Sequence, residues 1–133
     1  MRIAIAAAAV LVSTVAAFGR TEPQLPRTFT NLQVLPKTIA GPELVNMMKG
    51  FTFALGVRCE HCHEGGPDLA SFNFASDAVP AKITARRMLQ MTSTINGDLL
   101  KGIGDASRQP KVTCFTCHRG ARTPLTAPAG SGL

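Results

Sequence analysis

The chain has 133 residues, a net charge of +6, four Cys and neither Trp nor Tyr. Its length is one domain's worth. The positive balance does not read as nucleic-acid binding, because no long Lys/Arg run and no interleaved aromatics accompany it.

The N-terminal stretch reads as a secretory signal. Met1-Arg2 supplies a positive end, Ile3 to Val12 is an unbroken apolar run, and Ser13 to Gly19 offers small residues for cleavage after Ala17 or Gly19. The run is shorter than the ~20 residues that span a bilayer. The expected organisation is therefore a signal over 1–19, a domain over 20–124 and a loose tail over 125–133. No Cys sits near the cleavage region, so no lipid attachment is expected there. The expected location is the periplasm, with peripheral membrane association at most.

Arg20 to Pro36 is rich in proline and polar residues and should wrap the surface. Asn31 to Leu35 alternates like a short strand that Pro36 ends. Pro42 to Leu55 predicts the first helix. Pro42 suits the first helical position, Glu43 the positive end and Gly56 the stop. Leu44, Met48, Phe51 and Leu55 form one apolar stripe. Gly50 weakens the helix but lets a neighbour approach closely.

Cys59-Glu60-His61-Cys62-His63 follows, and Cys114-Phe115-Thr116-Cys117-His118 comes later. Both read Cys-x-x-Cys-His, the attachment signature of a c-type haem. Two thiols three positions apart can each add to one vinyl group on a porphyrin edge. The next residue then places an imidazole under the ring, where a neutral nitrogen binds iron. The two motifs use every Cys in the chain. Two covalent haem c groups are expected, held by Cys59, Cys62, Cys114 and Cys117, with His63 and His118 as proximal ligands.

The plainer readings are a zinc site and disulfides. Zinc ribbons separate their Cys pairs by about 15–20 residues, far fewer than lie between Cys62 and Cys114. Neither reading explains a His directly after each second Cys. Haem also answers two features of the composition. A large apolar cofactor replaces missing aromatic bulk in a small core, and its propionates offset the positive charge. The haem-free chain should fold poorly.

Glu64 to Pro80 has loop chemistry, with Phe72 and Phe74 expected to cover a haem edge. Ala81 to Asn96 predicts the second helix, ended by Gly97, with Met88, Met91 and Ile95 on one face. Arg86 or Arg87 is a candidate partner for a propionate, against the plain reading of a solvated helix face. Leu99, Leu100 and Ile103 suggest a short helical turn before the second motif. The expected fold is mainly α, with few or no strands: two units of helix and Cys-x-x-Cys-His packed around two covalent haems.

Each iron needs a sixth ligand or an open site. An open site would mean oxygen or peroxide chemistry, and a closed one electron transfer. Of the three His, only His61 is not proximal, and it is expected at the surface. Met47, Met48, Met88 and Met91 are the candidates, against a default of core packing. Met48 lies on the apolar stripe and Met47 about a third of a turn away, which favours Met48 for the first iron. Periodicity does not separate Met88 from Met91.

Met91 to Asn96, followed by the Pro110 to Gly120 run around the second motif, resembles the cytochrome c subunit of bacterial photosynthetic reaction centres. Met48 on a helix ahead of the first motif adds to the resemblance, which covers Asn31 to Pro124. It implies that Met48 ligates the first iron and Met91 the second. It implies redox partners too: a reaction centre, or a respiratory complex if the chain serves elsewhere. Two haem motifs stand here where that family has four, and no spare His matches its bis-histidine haem. The function expected is single-electron transfer, not catalysis. The rivals are a dihaem peroxidase with one open iron and a zinc-binding module.

Overall fold

The computed structural model describes residues 29–105, 108 and 111–127. The signal segment 1–19 and most of the tail, 128–133, lie outside them. Helix α1 spans Gly41–Leu55, with proline in its first turn and Glu43 at its positive end. Gly56 stops it at φ 63°, with its N–H on the carbonyl of Thr52. A left-handed stop of this kind favours glycine. Space demands glycine as well, since a Cβ at Gly56 would run into the Gly120 carbonyl. The N–H of Gly120 donates to the Ala54 carbonyl at 2.9 Å. The end of α1 is thereby joined to the exit of the second motif.

The first motif is a 3-10 turn, Cys59–His61. A loop follows, closed by one antiparallel bridge between Glu64 and Asn73. That bridge is the only β pairing among the described residues. Asn31 to Leu35 forms bends rather than the expected strand. Asn31 adopts φ 65° and sends its side-chain N–H to the Ala75 carbonyl and to Asp77. Side-chain hydrogen bonds to the loop take the place of a ladder partner.

Helix α2 spans Pro80–Thr94. It does not stop at Gly97 as expected but widens into one π-helical turn, Ile95–Leu99. Asn96 sits in that turn. Its Nδ2 donates to the Val112 carbonyl and its Oδ1 accepts from the Val112 N–H, both at 2.7 Å. This two-way clamp holds the segment leading into the second motif. Leu99 and Ile103, expected to pack, are exposed.

Helix α3 is short, Cys114–His118, and is opened by a reciprocal cap between Thr113 and Thr116. It packs on α1, where Phe115 stacks on Phe53 at 5.6 Å between centroids. The two helix-and-motif units are therefore interleaved rather than stacked side by side.

Among the described residues only Ile39 and Ala54 form a buried apolar core, and no large side chain is wholly buried. Apolar burial contributes about 25 cal/mol per Å². A polypeptide that buries so little of its own surface relies on something else to order it. No described helix is long and apolar enough to cross a membrane.

Candidate haem sites

Each Cys-x-x-Cys-His motif borders a cleft. The first cleft, about 530 Å³, is lined by Thr52, Val57, Cys59, Gly65, Leu69 and Phe72 among others. The second, about 490 Å³, is lined by Met47, Gly50, Phe51, Leu89, Val112 and Cys114 among others. Gly50 faces open space there, with nothing within 4 Å of where a Cβ would stand. The four cysteines are not bridged. Burial pushes the Cys62 and Cys114 thiols up, so both stay protonated and apolar at neutral pH. No three His, Cys, Asp or Glu side chains converge as a metal cluster among the described residues.

The two motif histidines are held differently. His118 Nδ1 lies 3.0 Å from the Ala121 carbonyl oxygen. A carbonyl only accepts, so Nδ1 carries the proton and Nε2 keeps a free lone pair, the form that binds iron. Arg119 and Gly120 make this contact possible by turning left-handed at φ 51° and 83°. His63 is half-buried, and its Nδ1 has no hydrogen-bond partner among the described residues. Phe74 meets its ring edge-on at 5.1 Å and stacks on Phe72. Burial, with Lys82 and Arg86 nearby, lowers the His63 pKa below its ordinary value. His63 is therefore neutral at pH 7, as a metal ligand must be.

One node fixes the surroundings of His63, and sequence reasoning missed it. Asp77 accepts from Arg86 and Asn31, both at 2.9 Å. Lys82 is buried and donates to the carbonyls of Phe74 and Ser76, with Asp77 at 3.1 Å. Three acceptors compensate the buried ammonium. Arg86 also donates to the Asn31 carbonyl. Its guanidinium is thus engaged by protein, rather than solvated. Asn31 lies 44 or more residues from these partners, and no local pattern announces pairs so far apart. His61, expected at the surface, is partly buried.

Of Met47, Met48, Met88 and Met91, only Met47 lines either cleft. Met48 lies one helical turn before Thr52, which lines the first cleft, so the two share a face. Met47 lines the second cleft together with Phe51. Of the apolar stripe of α1, Phe51 thus faces the second cleft. Met88 and Met91 are both exposed, at 41% and 47%, and line neither cleft.

Residues 2–128 match the family described as the photosynthetic reaction centre cytochrome C subunit. The chain belongs to that family. It is 30% identical over 118 residues to the photosynthetic reaction center cytochrome c subunit of Thermochromatium tepidum, covering 87% of this chain and 26% of that protein. It is 35% identical over 102 residues to cytochrome c-554 of Chloroflexus aurantiacus, covering 77% of this chain and 23% of the relative. A 66-residue match to the Roseobacter denitrificans reaction center subunit is 41% identical and covers 50% and 17%. The chain thus spans about a quarter or less of these relatives. The family is one of haem-bearing electron carriers, not enzymes, and its helical, strand-poor fold is the one observed here.

Proposed function

We propose that the protein is an exported electron carrier holding two covalent c-type haems. One observation carries the reading: the His118 imidazole is fixed by the Ala121 carbonyl in its iron-binding tautomer, directly after two unbridged cysteines. Cys59 and Cys62 anchor one haem and Cys114 and Cys117 the other. His63 and His118 would hold the irons. Bound haem supplies a one-electron ferric/ferrous couple. The lining at Cys114 is mostly apolar, and such surroundings would disfavour net positive charge on iron and favour the ferrous state. Thioether ligation acts the same way. The partners are redox proteins, of which a reaction centre or a respiratory complex fits the family.

Met48 completes the first iron and Met91 the second. Met48 is supported by the face it shares with Thr52, and Met91 by the family motif. A second reading gives the second iron to Met47, because Met47 and not Met91 lines the cleft at Cys114. The near-infrared sulfur-to-iron charge-transfer band of the ferric protein separates them. Under the main reading, Met48→Ala and Met91→Ala each remove about half of the band. Loss in Met47→Ala with an intact band in Met91→Ala favours the second reading. An unchanged band in all three variants contradicts methionine ligation altogether.

A further inference from the structure

His63 Nδ1 is buried and has no hydrogen-bond partner among the described residues, so no acceptor fixes the angle of its ring. The aromatic neighbour of that ring is Phe74, edge-on at 5.1 Å. Phe74 is itself held. Phe72 stacks on it at 5.3 Å, with the ring planes 12° apart. Behind Phe72 lies Gly65, where a Cβ would run into the Phe72 ring, so the stack rests directly on bare backbone. The loop that carries both rings is tied across: the Asn73 N–H donates to the Glu64 carbonyl at 2.8 Å and the Gly66 N–H to Ser71 Oγ at 2.9 Å. At the far end, Lys82 Nζ donates to the carbonyls of Phe74 and Ser76 at 2.9 and 2.6 Å.

Lys82 is the one buried charged side chain among the described residues. A buried charge is costly even when compensated, and an apolar side chain of similar volume often stabilises as well or better. Stability alone is therefore a weak reason for a lysine at this position. Holding two carbonyls at once is something an apolar side chain cannot do. We propose that Gly65 and Lys82 are positioning residues for His63: they pin the Phe72–Phe74 stack from opposite ends, and the edge of Phe74 sets the plane of the imidazole at the first haem in place of an Nδ1 hydrogen bond. This rests on the haem reading above. His118 needs no such device, because the Ala121 carbonyl holds its Nδ1. The two sites thus fix their histidines by different means, packing at the first and a hydrogen bond at the second.

The test uses the full haem-loaded protein in its ferric form and reads the haem methyl resonances by NMR. Their hyperfine shifts depend on the angle of the axial imidazole plane, and each set is assigned through its own histidine. Lys82→Met keeps the length of the side chain and removes its donors. Gly65→Ala pushes on Phe72 from the other side, and Phe74→Leu removes the edge contact. All three should change the order or spread of the first set and leave the second in place. Phe74→Tyr keeps the ring and should keep the wild-type pattern. Asp77→Asn leaves both carbonyl bonds of Lys82 and should keep the pattern too, although it lowers the melting temperature, which separates positioning from stability. A first set unmoved in Gly65→Ala or in Phe74→Leu overturns the proposal, and either variant decides it should Lys82→Met fail to load haem. A change in Lys82→Met that Phe74→Leu does not share overturns it in favour of charge acting alone. Equal changes at both haems overturn it in favour of a general loosening of the fold. A protein lacking haem bands overturns the haem reading itself, whereas intact bands with an unmoved first set sink the positioning alone.

Discussion

His118 Nδ1–H donates a hydrogen bond to the carbonyl of Ala121 at 3.0 Å, across two residues in left-handed conformation. His63 has no such acceptor among the described residues and is oriented instead by the edge contact with Phe74. A ring held by a hydrogen bond keeps its tautomer and aim before the metal arrives. The two sites therefore start from different degrees of preorganisation.

The first prediction concerns that bond. His118→Ala removes the proximal nitrogen but neither thiol. The second haem should stay attached and lose its low-spin spectrum, so about half of the low-spin absorbance disappears. Absorbance and electron paramagnetic resonance of the ferric protein check this.

Asn96 makes two short hydrogen bonds to one residue, Val112. Each net bond contributes about 0.5–1.5 kcal/mol, and a partner left unsatisfied costs about 1–3. Asn96→Ala should cost about 2 kcal/mol, read from denaturant midpoints of the haem-loaded protein. Asn96→Asp keeps the acceptor for the Val112 N–H but sets a carboxylate oxygen against the Val112 carbonyl, so it should destabilise as well.

The Arg86 and Asn31 hydrogen bonds, with Lys82 beside them, hold the Asp77 carboxyl well below the usual carboxylate range. A depressed folded pKa stabilises the fold above the unfolded value, which is 3.8. That stabilisation is lost as pH falls further toward the folded pKa. Wild type should lose melting temperature below about pH 4 more steeply than Asp77→Asn. Near pH 7 the variant should already be the less stable of the two. Thermal melts from pH 7 down to pH 2 check both statements.

The core is so thin that haem-free chain, made where attachment cannot occur, should lack cooperative unfolding. Its amides should exchange rapidly, with helical ellipticity well below that of the loaded protein. A cooperative transition in the haem-free chain would contradict this.

Much of this was legible in the chain itself. Pro42 and Gly56 bracket α1 through local backbone preferences, and the two Cys-x-x-Cys-His motifs state their chemistry within five residues. What stayed hidden depends on distant partners. The Asn96–Val112 clamp sits in a π turn that carries α2 past Gly97. The hydrogen bonds of Asn31 to the loop around Asp77 replace a strand whose alternation was real but had no neighbour to pair with. Periodicity placed Met48 and Phe51 on one stripe. It could not show that α1 crosses to the second motif and turns Phe51 and Met47 toward Cys114.

The most direct measurement is the intact mass of the exported protein after full denaturation. The account predicts the mass of the polypeptide plus two haems, with haem absorbance travelling with the denatured chain. A mass matching bare polypeptide, with Cys59, Cys62, Cys114 and Cys117 free or bridged to one another, would contradict it.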